Sequence, residues 1–215
     1  MKKRVTAICA GIILLGFTGF AQASLTTIGT ATYGVTDYNL ILDDNNNGNM
    51  VVWLDYTNNW TNWTAQNAWA ATLGSALTIK TPGYDIDWGD SSWRLPTGFP
   101  AKEFDDLWTN EFGFVFQGGS GINGAYTADE LNIKGFTNIT DASNYWTSTY
   151  YYDGKARQHS LRFGQEYIWG ANFSAYGMAI HTVNSSEVVP TPVPGAIWLL
   201  GSGLIGLAGL RRKKD

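Results

Sequence analysis

Trp93-Arg94-Leu95-Pro96-Thr97-Gly98-Phe99-Pro100 leads a loop into a helix, and the layout of the chain follows from that junction. Pro96 disfavours the helical region for Leu95, so the lead-in is extended. A helix is expected at about Pro100–Glu111. Pro100 lies near its first position, and Glu103, Asp105 and Asp106 fall in the early turns, where the helix dipole favours acids. Phe104, Leu107, Trp108 and Phe112 line its expected buried face, and Gly113 ends it. Arg94 is the lone cation of the stretch. It reads as a structural arginine stacked on Trp93 and paired with an acid such as Asp55 or Asp90; the alternative is a clamp for a carboxylate or sulfate.

Upstream, Thr64 is placed to cap a helix over Ala65–Leu73 that Gly74 closes, with Ala65, Trp69 and Leu73 on one face beside Ala68 and Thr72. Residues 24–42 alternate Thr with small and apolar residues, as in one or two strands. Asp43-Asp44-Asn45-Asn46-Asn47-Gly48-Asn49 is an Asx-rich turn ahead of a strand at Met50–Asp55. Asp43, Asn45 and Asn47 also have the spacing of a calcium loop that bends at Gly48, but Leu54 stands where the closing bidentate glutamate belongs. Trp53, Trp60 and Trp63 read first as wall or core, with a sugar-stacking platform as the alternative. Residues 75–92 are expected to be loop.

Downstream, residues 114–140 are Gly- and Asn-rich, with one short strand expected at Leu131–Phe136. Tyr145-Trp146-Thr147-Ser148-Thr149-Tyr150 opens a strand-rich tail. A hairpin turn at Asp153-Gly154 leads to strands at Lys155–Phe163, Glu166–Trp169 and Ser174–Val183. Arg157, His159, Leu161 and Phe163 alternate with Ala156, Gln158, Ser160 and Arg162, a pattern expected of a sheet with one wet side.

The two ends read as export signals. Lys2, Lys3 and Arg4, an apolar stretch from about Ala7 to Phe20, and Ala21-Gln22-Ala23 before Ser24 form a Sec-type signal peptide over residues 1–23, with cleavage set by Ala21 and Ala23. The single cysteine, Cys9, leaves with it. The mature chain therefore has no disulfide, no thiol nucleophile and no Cys-ligated zinc. Residues 195–210 are uncharged and span roughly 24–27 Å as a helix, short for a bilayer core of about 30 Å. Arg211, Arg212, Lys213 and Lys214 would hold the far end in the cytoplasm.

What remains, residues 24–189, is about 165 residues, enough for one domain with its own core. The chain has ten Trp, eleven Tyr and ten Phe with only 15% charged residues, which favours short strands and ordered loops over a helical bundle. Within 24–189, seven basic residues face 17 acidic ones, a net charge of −10. That field disfavours nucleic acid and anionic membranes as partners.

The Pro190, Pro192, Pro194 stub, the Trp-containing Gly/Leu span and the basic tail resemble the PEP-CTERM sorting signal of Gram-negative bacteria that make exopolysaccharide, over residues 190–215. Pro192-Val193-Pro194 replaces the name-giving Pro-Glu-Pro. The resemblance implies transient anchoring in the inner membrane after the Sec translocon, processing by exosortase near Pro190–Pro194, and delivery to the cell surface or extracellular matrix. Trp93-Arg94-Leu95-Pro96-Thr97 followed by a helix and by Tyr145-Trp146-Thr147-Ser148 resembles the collagen-like-protein C-terminal (Lcl C-terminal) domain family. Its relatives are C-type-lectin-like and formylglycine-generating-enzyme-like. The likeness covers about residues 38–184 and implies an α+β, C-type-lectin-like mixed sheet with two helices and many loops. It departs by the Gly98-Phe99-Pro100 insertion and by having no clear glutamate in the turn after Trp146-Thr147-Ser148.

For function, the carboxylate groups Asp43/Asp44, Asp85/Asp87/Asp90 and Glu103/Asp106 are the only hydrolase-like material, and nothing in their spacing marks a raised pKa. His159 and His181 stand alone in strands, without a nucleophile motif or a metal-ligand pattern. The oxidase chemistry of the formylglycine-generating relatives needs cysteines absent from the mature chain. The expectation is a non-enzymatic surface or matrix protein without metal or cofactor, binding exopolysaccharide through loop aromatics such as Trp88 and Tyr151. A purely structural matrix protein and, below it, a glycoside hydrolase are the alternatives.

Overall fold

The computed structural model describes residues 25–89, 92–107, 135–140, 144–161, 165–183 and 189–190. The expected signal peptide at 1–23, residues 191–215 of the expected sorting signal at 190–215, and Asp90, Trp108, Phe112 and Gly113 lie outside these residues. So does the expected span at 195–210. Among the described residues no helix is long and apolar enough to cross a membrane.

The elements in chain order are β1 (Leu25–Tyr33), β2 (Thr36–Asn46), β3 (Asn49–Leu54), β4 (Asn58–Asn62), α1 (Trp63–Ala76), β5 (Leu77–Lys80), β6 (Tyr84–Asp85), α2 (Glu103–Asp106), β7 (Asn144–Tyr150), β8 (Lys155–Ser160), β9 (Gln165–Gly170), β10 (Ser174–Gly177), β11 (Ile180–Val183) and β12 (Val189–Pro190). They form one five-stranded sheet in the order β11-β3-β2-β1-β5, a second in the order β4-β10-β7-β8-β9, and the small pair β12-β6. The class is α+β, with mixed pairing in the second sheet, where Tyr176 of β10 lies parallel to Tyr145 of β7.

The first sheet is covered on both faces. Leu40, Leu42, Val52 and Leu54 turn toward Ala70 and Leu73 of α1, while the intervening Ile41, Val51 and Trp53 turn toward Phe104, Leu107 and Phe136. This explains the unbroken apolar runs Leu40–Leu42 in β2 and Met50–Leu54 in β3: a strand segment buried on both sides has no wet face to mark with polar residues. Full burial of side chains this size contributes about 1.5–3 kcal/mol each before entropy is set against it.

The two sheets are one ribbon bent in the middle. β3 pairs with β11 in the first sheet, and β4 pairs with β10 in the second. The expected single strand at Ser174–Val183 is therefore two strands, broken at Met178-Ala179, and each half serves a different sheet.

Several local expectations need correction. α1 starts at Trp63, with Asn62 rather than Thr64 as its cap: the Asn62 side chain accepts the Ala65 N–H at 2.9 Å. Gly74 lies inside the helix, and its buried face is Gln66, Ala70 and Leu73, one position round from the expected stripe. The segment 75–92 carries β5 and β6, with the β5 register set by pairing to β1. α2 begins at Glu103 rather than Pro100, after a left-handed Lys102 and a cis Phe99–Pro100 peptide. Gly135 and Phe136 lie outside any strand, and residues 131–134 lie outside the described part.

The polar run at 43–49 is a strand end closed by a two-residue hairpin, with Asn47 and Gly48 both at positive φ. Such left-handed pairs match the twist of adjoining strands, and Asn and Gly tolerate them best. Asp153-Gly154 closes the β7–β8 hairpin in the same way. On β8 the anticipated wet face is absent, because Ala156, Gln158 and Ser160 are buried along with His159 and Leu161. Both faces of the second sheet are in use.

Candidate functional site

The junction from Trp93 to Glu103 positions everything around it. Arg94 exchanges backbone hydrogen bonds with Ile180 of β11, N–H to O at 3.0 Å and back at 2.8 Å. Its guanidinium grips Glu103 with two prongs, Nη1–Oε2 at 2.7 Å and Nη2–Oε1 at 2.6 Å, and also donates to Thr97 and Thr182. Among the described residues the acid is Glu103 and not Asp55, while Asp90 lies outside them. Asp55 instead accepts the N–H groups of Thr137 and Asn138. The Thr97 N–H and hydroxyl also donate to Glu103. Burial pushes the Glu103 carboxyl up, but the Arg94 hydrogen bonds and charge, joined by Thr97, outweigh it and hold the group below its usual 4.5. Arg94 is thus an internal tie, with no fork left for an anion.

The second sequence motif is fastened to the first. Ser148 N–H donates to Pro96 O at 2.8 Å, and Gly98 N–H donates to Thr149 Oγ1 at 2.9 Å. Tyr145, Trp146 and Thr147 are buried. Trp93 and Leu95 are buried too, so these motif residues are framework.

On one face of the second sheet a cleft of about 730 Å³ runs from Phe99 to Gln165. Three ion pairs already tie together charges on its walls. Arg157 pairs with Glu166 at 3.1 Å, Lys102 with Asp105 at 3.2 Å, and Asp105 with His159 at 3.0 Å. Glu166 also accepts the Phe99 N–H. Gly98 lets the loop lie close here: a Cβ would stand 2.9 Å from the Glu166 carboxylate and the Thr147 hydroxyl. Arg157 is sandwiched between Phe99 and Tyr151, its guanidinium 5.2 and 5.3 Å from the two ring centres. Tyr151 is therefore exposed, as expected, but leans on a cation of its own chain.

Trp88 is not an exposed platform. It is half-buried, stacked within 5° of parallel on Trp93 at 6.1 Å, with His181 5.1 Å away. The carboxylates have structural work as well. Asp43 is buried and accepts from Asn46 and Trp53, Asp87 accepts Gly89 N–H, and Asp106 accepts Asn47 N–H. Among the described residues no group of three or more His, Cys, Asp or Glu is placed to hold a metal ion.

The other face of the second sheet carries a different arrangement. Trp60 of β4, Trp169 of β9 and Phe173 surround a depression of about 500 Å³ whose remaining walls are Asn144, Gln158, Asn172 and Ser174. The three rings are 53%, 51% and 54% exposed. Trp60 is propped edge-on against Tyr176 at 5.0 Å, and Trp169 meets Phe173 at 5.7 Å. Strand pairing brings the wall together. Asn144 lies opposite Ser160, and Ala156 lies opposite Trp169, so by the period of two Asn144, Gln158 and Trp169 share one face. Gly170 admits Phe173, since a Cβ there would stand 2.8 Å from the ring.

Sequence reasoning weighed Trp60 as a stacking residue and missed Trp169 and Phe173. The signal available was a strand ending Ile168-Trp169-Gly170, in which a bulky aromatic precedes a glycine and a tight turn. No family model matches the chain, and neither does any curated protein or solved structure.

Proposed function

We propose that this chain is an exported, non-enzymatic surface or matrix protein whose C-type-lectin-like domain binds polysaccharide. Export rests on the leader at 1–23 and on the tail at 190–215. In this reading the Sec translocon carries the chain across the inner membrane, the tail tethers it there, and exosortase releases it near Pro190, Pro192, Val193 and Pro194.

The observation that carries the binding reading is the depression on the second sheet. Half-exposed aromatic rings are costly to leave in water and rarely gather on a monomer surface without a partner. Sugar rings present flat C–H faces that stack on such rings, while their hydroxyls need amide and hydroxyl groups of the kind Asn144, Asn172 and Ser174 supply. The tie from Pro96 to Ser148 supports the lectin-like assignment, because it joins the two motifs on which the resemblance rests.

The test is retention of the mature secreted protein on the native exopolysaccharide of the producing cells. Retention is expected, and absence of retention on any native polysaccharide would count against the reading. Release of reducing ends in the same mixture would favour a hydrolase instead. Mass spectrometry of the surface form should find a C-terminus near 190–195; an intact 211–215 tail at the surface would contradict the sorting step.

A further inference from the structure

Gln158 sits at the floor of the aromatic depression, and its surroundings are unusual for an amide. The residue is 3% exposed and lines the depression. The buried amide of Gln66, by contrast, is engaged at both ends: it donates to Asn59 O and Ala175 O and accepts from Asn58. No side-chain hydrogen bond of Gln158 is seen among the described residues, and its amide is not among the enclosed polar atoms that lack a partner, so it opens onto the depression. An amide at the floor of an open depression holds water in the free protein and can exchange it for a ligand group. Leucine, of similar size, would fit the same strand position but could make no such exchange.

The walls around it are uncharged. Trp60, Asn144, Gln158, Trp169, Asn172, Phe173 and Ser174 include no acid and no base, and the domain as a whole has a net charge of −10. An acidic sugar would meet a repulsive field and no counter-ion. An uncharged sugar loses nothing there. The rings offer apolar faces, and the amide offers both a donor and an acceptor.

We propose that the depression selects uncharged pyranose units of a glycan, and that Gln158 is the specificity-determining residue, hydrogen-bonding a hydroxyl or acetamido group of the unit stacked between Trp60 and Trp169. This rests on the polysaccharide-binding reading above and narrows it to one ligand class and one reading residue. The amide then exchanges water for a hydroxyl or acetamido group of the ligand on binding.

The experiment uses the mature secreted protein and its Gln158→Leu and Trp169→Ala variants. The probes are the producing cells' exopolysaccharide, separated by anion exchange into neutral and acidic fractions. Affinity electrophoresis at low and high salt should show retardation by the neutral fraction, unaffected by salt. Gln158→Leu should weaken it about tenfold, the loss of one ligand hydrogen bond, while its thermal midpoint stays level or rises. Trp169→Ala should weaken it by a similar factor with no drop in midpoint. Preference for the acidic fraction with salt-sensitive binding would overturn the ligand class. Unchanged binding by Gln158→Leu, or a weakened one with a lowered midpoint, would overturn the role of Gln158. Both results leave polysaccharide binding itself standing; retardation by neither fraction removes that as well.

Discussion

The Arg94 guanidinium and the Glu103 carboxylate meet through two nearly equal bonds, 2.7 and 2.6 Å, across the turn that separates an extended segment from α2. Arg94 is at the same time bonded through its backbone to β11, so the pair holds a helix start, a loop and the first sheet in one place. Glu103 has a side chain only 6% exposed, against 34% for Arg94.

Removing the cation leaves a carboxylate buried without its counter-charge. Arg94→Met is expected to cost about 3 kcal/mol of unfolding free energy, the lower end of the buried-pair range because Arg94 is partly solvated. Urea denaturation of both proteins checks this. A change within 0.5 kcal/mol would mean that the tie is not structural.

Acid should act through the same pair. The folded Glu103 carboxyl titrates below its ordinary 4.5, so its contribution is fully present above that value and is lost as pH falls through the lower, folded value. Thermal midpoints measured from pH 6 downward should fall more steeply for the native protein than for Glu103→Gln below pH 4.5. Parallel curves would contradict this.

Tyr145 gives the alkaline counterpart. Burial raises its phenol to about 12, although hydrogen bonds from Thr57 and Thr140 pull the other way. The stabilising contribution is complete below the ordinary 10 and disappears as pH rises toward 12. In an absorbance titration at 295 nm, one tyrosine should ionise near pH 12 or only on unfolding, and Tyr145→Phe should remove that step. The same variant strands the Thr140 N–H that now donates to the hydroxyl at 2.9 Å, a loss of about 1–3 kcal/mol.

Trp88 separates packing from binding. Because it is stacked on Trp93 and His181, Trp88→Ala is expected to lower stability by about 2–4 kcal/mol and leave polysaccharide retention unchanged. Loss of retention with full stability would restore Trp88 to the binding surface.

What the sequence disclosed depended on how local each cause was. Turn chemistry at Asn47-Gly48 and Asp153-Gly154 is set by the backbone of two residues, and it could be read directly. The partner of Arg94 could not, although Glu103 lies nine residues on, because the choice among acids depends on how the turn at Gly98–Lys102 folds back. Gln158 and Ser160 looked like a wet face by polarity alone, and only the opposing strands and rings show that they are enclosed. Trp169 and Phe173 were invisible as a site because they converge with Trp60 from more than a hundred residues away, through the pairing of β4 with β10. The motif residues Trp93 and Trp146 stood out in sequence for the opposite reason: they hold the framework.

The central claim, that exposed rings on the second sheet hold a glycan, is tested most directly by one paired measurement. The double variant Trp60→Ala/Trp169→Ala is compared with the native protein for retention on native exopolysaccharide and for thermal midpoint. The account predicts that retention is lost while the midpoint moves by no more than about 2 °C, the shift expected for substitutions worth under 0.5 kcal/mol. Undiminished retention by a folded double variant would contradict it.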